Sequence, residues 1–125
     1  MKFEISPMVV TEASLSPNSE APAGEHTNTF SLYGSVNVNS DHKDTAVLIA
    51  EAQMISFGKF ELQIKSEFTI KFESEVSEKQ AEELLEKANA EANIFPYISS
   101  YITGWLALSG YSRPNIPVIF FEDLK

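Results

Sequence analysis

The chain has 125 residues, 43% of them hydrophobic and 22% charged, with 9 Lys and Arg against 18 Asp and Glu. These proportions describe one globular domain over residues 1–125, long enough to bury a core, and they exclude wholesale disorder. A formal net charge of −9 argues against nucleic acid as a partner, because phosphates need clustered cations, and the lack of cysteine excludes disulfides and thiolate metal sites.

The opening, MKFEISPMVV, has one Lys, then an acid, and no apolar run long enough for a secretory signal, so a cytoplasmic address is expected. Phe3 and Ile5 alternate with polar neighbours before Pro7 interrupts the ladder, the pattern of an edge strand or a bulged one. SPNSEAPAGEHTN, residues 16–28, reads as a long loop from its Pro, Ser, Gly and Asn content. In FSLYGSVNVN, Phe30, Leu32, Val36 and Val38 face one way and Ser31, Tyr33, Ser35, Asn37 and Asn39 the other, which predicts a half-buried strand. TAVLIAEAQMISF is apolar on both faces at its start and predicts a central strand covered on both sides. After a turn at Gly58 and Lys59, KFELQIKSEFTIKFE alternates along its length. Phe60, Leu62, Ile64, Phe68, Ile70 and Phe72 point inward, and Lys59, Glu61, Gln63, Lys65, Glu67, Lys71 and Glu73 point outward.

Helical spacing takes over in SEKQAEELLEKANA, where Ser77 and Gln80 make a capping-box pattern and Ala81, Leu84, Leu85 and Ala88 form one stripe. NIFPYISSYITGWLALSGY contains no charged residue and predicts a second helix, with Pro96 in its first turn and Gly110 at its stop. On a helical wheel Ile94, Phe95, Tyr97, Ile98, Tyr101, Ile102, Trp105, Leu106 and Leu108 take one half, and Ser99, Ser100, Thr103, Gly104 and Ala107 the other. A surface helix would carry Lys and Glu on that second half. Small uncharged residues there predict one face on the sheet and the other on a second copy of the chain, through Ser100, Thr103, Gly104 and Ala107. The window is long enough to span a bilayer. Its Ser, Thr and Asn content, Pro96 and the lack of flanking Lys/Arg clusters nevertheless predict no membrane insertion. Strands followed by helices give an α+β class: an antiparallel four-stranded meander sheet with C-terminal helices packed on one face.

Catalytic chemistry finds little support. His26 lies in the polar loop and His42 in a turn, neither at ligand spacing, and Glu78, Glu82, Glu83 and Glu86 read as the solvated side of the first helix. No GxGxxG, P-loop or GxSxG motif is present. The expectation is a protein that is not an enzyme and uses no metal or cofactor; a closed, ligand-sized apolar cavity would point instead to an enzyme or a small-ligand carrier.

Phe95, Pro96 and Tyr97 opening a long helix, Gly110 and Tyr111 closing it, and Pro117, Val118 and Phe120 following it form a pattern with a family likeness. So do Glu12, Ser14, Pro17 and Asn18 near the N-terminus, and Phe68 and Ile70 in SEFTI. Together they resemble the SecB family of tetrameric protein-export chaperones. The resemblance implies an ATP-independent holdase for unfolded, partly folded or aggregation-prone polypeptides, assembled as a homodimer or homotetramer through the long helix. It also implies an acidic patch for an export motor ATPase, onto which Glu12 and Glu61 fall, while Ser16 and Lys59 replace an acid and an apolar residue of the family pattern. The chain ends at FFEDLK, where the family continues into a second helix, and SEKQAEELLEKANA is more helical than the family connector. Both departures favour holding over delivery, and leave open an alternative: a SecB-fold module dedicated to one partner, such as an antitoxin-type or regulatory protein. Client contacts are expected at the exposed apolar residues Tyr33, Tyr111, Ile116, Phe120 and Phe121.

Overall fold

The computed structural model describes residues 2–18 and 28–111. Seven elements follow one another: β1 (Phe3–Ile5), β2 (Val9–Pro17), β3 (Asn28–Val38), β4 (Thr45–Ser56), β5 (Phe60–Phe72), α1 (Glu78–Lys87) and α2 (Ala90–Leu108). The five strands form one antiparallel sheet beneath two helices, which is the α+β architecture expected from the sequence.

Strand order departs from a plain meander at one place. β3, β4 and β5 run as consecutive hairpins, but β1 and β2 both pair with the outer edge of β5, so the order across the sheet is β1-β5-β4-β3 with β2 beside β1. Phe3 lies opposite Phe72 and Leu15 opposite Leu62. β1 and β2 are one edge position broken by Pro7, which has no N–H to give to the ladder. Hydroxyls staple the break: Thr69 N–H donates to Ser6 Oγ at 2.8 Å, and Thr11 Oγ1 donates to the Lys65 carbonyl at 3.1 Å, beside the register shift between Val10 and Glu12.

Parity places the core. Ala46, Leu48, Ala50, Ala52 and Met54 on β4, and Phe60, Leu62, Ile64, Phe68, Ile70 and Phe72 on β5, are all buried on one face. Ile94, Phe95, Ile98, Ile102 and Leu106 of α2 and Ala81 and Leu85 of α1 join the same cluster. Each large side chain so buried contributes about 1.5–3 kcal/mol. Ser66, buried among them, donates its hydroxyl to the Ala50 carbonyl. The other face of β4 corrects the expectation of cover on both sides. Val47, Ile49 and Ile55 are half-buried and Glu51 and Gln53 exposed, and no described element lies over them. Both helices sit on the opposite face.

Turns follow their chemistry. Gly58 has φ +80 between β4 and β5, a conformation that costs glycine little. Asn39 Oδ1 accepts from the N–H groups of Asp41 and His42 between β3 and β4. The capping box forms as read: Gln80 N–H donates to Ser77 Oγ and Ser77 N–H to Gln80 Oε1.

α2 differs from expectation at its start. It begins at Ala90, so Pro96 stands inside the helix rather than in its first turn. Asn89, at φ 56 and ψ 50, breaks the chain direction between α1 and α2 and lets the second helix start early.

Candidate functional site

α2 divides into a buried and an open side, and the division moves two residues from the side the helical wheel gave them. Tyr97 and Leu108 are 59% and 91% exposed, alongside exposed Ser100, Gly104 and Ala107 and half-buried Thr103. The open side therefore holds the small residues expected there plus two large apolar ones, and no charge. A methyl group built on Gly104 would meet nothing within 4 Å, so nothing described occupies that face. Half-buried Tyr101 and Trp105 flank it, their rings 5.9 Å apart.

Beside the first turns of α2 opens a cleft of about 500 Å³, lined by Phe3, Ile5, Ser6, Pro7, Phe68, Asn93, Ile94 and Tyr97. It exists because β1 is short and β2 starts only after Pro7, leaving Phe3 and Ile5 half-covered over β5. Tyr97 belongs to both the cleft and the open helix side, so the two are one continuous uncharged surface. The sequence reading missed Phe3 and Ile5 as site residues; their alternation before a strand-breaking proline was the available signal.

The client residues expected from the sequence do not share a surface. Tyr33, 51% exposed, projects from the helix-free face of β3 opposite Glu51. Tyr111 packs on the helix side, its ring 5.0 Å from that of buried Phe60 and its N–H donating to the Leu106 carbonyl. Ile116, Phe120 and Phe121 lie outside the described residues.

Glu12 and Glu61 are both exposed on the helix-free face, on neighbouring strands and roughly 14 Å apart by strand rise and spacing. Asn18 Nδ2 donates to Glu61 at 3.3 Å. In register across the sheet stand Glu12, Lys65, Glu51 and Tyr33, and they line a shallow depression of about 420 Å³. The acidic surface is thus interrupted by Lys65 at its centre. Glu4, Glu12, Glu51, Glu61 and Glu67 still outnumber Lys65 and Lys71 on this face.

Asp44, in the turn before β4, is held below its ordinary value of 3.8, chiefly by a hydrogen bond from the Lys71 ammonium. Among the described residues no cluster of three or more His, Asp or Glu could hold a metal ion, and no helix is long and apolar enough to cross a membrane.

No protein-family model matches the chain, and no curated protein matches it in sequence. Among solved structures it is similar to the SecB-like chaperone Rv1957 of Mycobacterium tuberculosis, in complex with a ChAD peptide from the Rv1956 HigA1 antitoxin. The TM-score is 0.74 at 10% sequence identity, over 97% of this chain and 93% of that one. Broken edge strand, hairpins and helix pair together therefore make a SecB-like fold over nearly the whole length.

Proposed function

We propose that the chain is a SecB-like chaperone, an ATP-independent holdase that binds unfolded or aggregation-prone polypeptides without catalysis, and works in the cytoplasm as a homodimer or homotetramer. The observation that carries this reading is a SecB-like fold over 97% of the chain that leaves an uncharged surface, with Tyr97 and Leu108 exposed, along α2 and the adjoining cleft. A lone domain of this charge would be expected to cover such a surface. A second copy takes the open side of α2, through Ser100, Thr103, Gly104 and Ala107, and apolar client side chains take the cleft at Tyr97.

The test is light scattering at 90° from several unrelated aggregating proteins, with and without the chain. Suppression of aggregation at stoichiometric ratios is expected for most of them. Tyr97→Ala should weaken client binding about tenfold, which is about 1.4 kcal/mol. Failure to protect any client would defeat the holdase reading.

A second reading is a module dedicated to one partner. It is favoured by the similar chaperone having been solved with an antitoxin peptide, and it predicts protection of a single client only. Delivery to an export motor ATPase would use Glu12 and Glu61, and Lys65 directly beside Glu12 disfavours a purely electrostatic dock.

A further inference from the structure

β1 and β2 fill the same edge of β5 but are fastened to it unequally. β2 stays in register with β5 from Glu12 to Pro17, whereas β1 supplies only Phe3, Glu4 and Ile5, opposite Phe72, Lys71 and Ile70. Two more main-chain bonds flank those pairs: Glu73 N–H donates to the Lys2 carbonyl at 3.2 Å, and Ser6 N–H to the Thr69 carbonyl at 2.8 Å. Pro7 then breaks the ladder, so the bonds of β2 do not depend on β1. Among the described residues β1 pairs with β5 alone. Its Phe3 and Ile5, half-buried, share the cleft with Ile94 and Tyr97 of α2. A strand this short, outside its neighbour's ladder, is the kind of unit that opens locally while the rest of a fold holds.

We infer that β1 is a resident strand that a client segment replaces, pairing antiparallel with Ile70–Phe72 in its stead. The inference rests on the polypeptide holding proposed above and names the segment held. The strand already seated there specifies its substitute. Phe3 and Ile5 lie on the helix side of the sheet, the Phe3 and Phe72 rings 5.7 Å apart, so the seat takes an aromatic or branched side chain at every second position. Glu4, between them, is exposed on the helix-free face opposite Lys71. The middle residue of the segment is therefore polar, with a carboxylate favoured over a cation. Once β1 leaves, the cleft lengthens along β5 past Ile70 and Phe72, and the main-chain groups that β1 had engaged are free to bond. Backbone bonds of this kind accept any sequence, and the alternating apolar seats supply the preference. Between clients β1 covers that edge, since an open one invites indiscriminate pairing.

The test sets the resident strand against a peptide copy of itself. The probe is a fluorescein-labelled peptide containing Lys-Phe-Glu-Ile-Ser, the sequence of residues 2–6, with binding read by anisotropy. Phe3→Ser with Ile5→Ser loosens β1 and should bind the probe about tenfold more tightly than the unaltered chain, because apparent affinity scales with the fraction of open seats. Were Phe3 and Ile5 only a wall of the cleft, the same change would weaken binding. Lys2→Cys with Glu73→Cys does the opposite. The chain has no Cys of its own, and facing Cα atoms one residue beyond the pair of Phe3 and Phe72 lie about 4.5–5.5 Å apart, within disulfide range. Oxidation should weaken probe binding about tenfold, and reduction should restore it. On the unaltered chain, a probe with the alternation broken, Lys-Phe-Ile-Glu-Ser, should bind about tenfold more weakly. Lys in place of the probe's Glu should weaken binding about threefold. Weaker binding by the Phe3→Ser, Ile5→Ser protein, indifference to oxidation, or equal affinity for the two peptide orders would overturn the exchange. Client aggregation separates this from holding itself: protection that survives oxidation overturns the exchange and leaves the holdase reading. Redox-switched probe binding with no protection by either form upholds the exchange and defeats the holdase reading.

Discussion

Lys71 and Asp44 tie the turn before β4 to β5, and the pair makes a pH prediction with a definite sign. Because the folded-state value of Asp44 is lowered, its stabilisation is fully present above the unfolded value near 3.8 and is lost as pH falls through the lower folded value. A carbon-detected NMR titration should place the Asp44 midpoint below 3.8, and Lys71→Met should return it toward that value. Ser77 offers a second test at this scale. Removing its hydroxyl with Ser77→Ala should cost about 1 kcal/mol in chemical denaturation, with Gln80→Ala costing less because it leaves the cap itself in place. That cap was legible in the sequence because a capping box is local chemistry: four residues specify both bonds. The left-handed turn at Asn89 was not, since an asparagine between two alanines fits a helix interior about as readily as it fits αL.

At the scale of elements, Pro96 is the telling case. A proline inside a helix removes one N–H and crowds the preceding turn, at about 3 kcal/mol relative to alanine. Pro96→Ala is therefore expected to raise the melting temperature, and circular dichroism melts would show it. No change or a fall would mean that the proline sets a bend on which α2 packs. The strands were readable for a plain reason: alternation has a period of two, and Phe60 through Phe72 keeps it over 13 residues, so each side chain's face follows from its number. Which strand lies beside which does not follow, because pairing joins distant residues and β5 could accept a neighbour from either end of the chain. Pro7 marked an edge correctly without saying which edge. The cover over β4 was misjudged because Val47 and Ile49 are as apolar as core residues, yet they are shielded only in part, by their neighbours in the sheet.

For the whole molecule, assembly is the property most open to test. Gly104 separates folding from association: its Cβ position is empty, so Gly104→Ala should leave the monomer intact and add up to about 1 kcal/mol of helix stability. Gly104→Leu should instead drop the solution mass measured by multi-angle light scattering, because a branched side chain would hold two helices apart. An unchanged mass would remove the open side of α2 as a contact between copies. The candidate site was half legible: small uncharged residues at 100, 104 and 107 announced an open helix face, whereas the cleft beside it arises from β1 docking on β5, a long-range pairing that the local signal at Pro7 marks as an edge without placing. That docking also sets an order of events during synthesis. Among the described strands, the one with Phe3 and Ile5 leaves the ribosome ahead of the rest, yet the stretch it pairs with, Ile70 to Phe72, emerges after the others. Phe3 and Ile5 must therefore wait for β5, and contacts so distant along the chain make for slow closure. A protein proposed to shelter unfinished chains would then pass through the same vulnerable stage itself, with an early-made strand waiting on a late one.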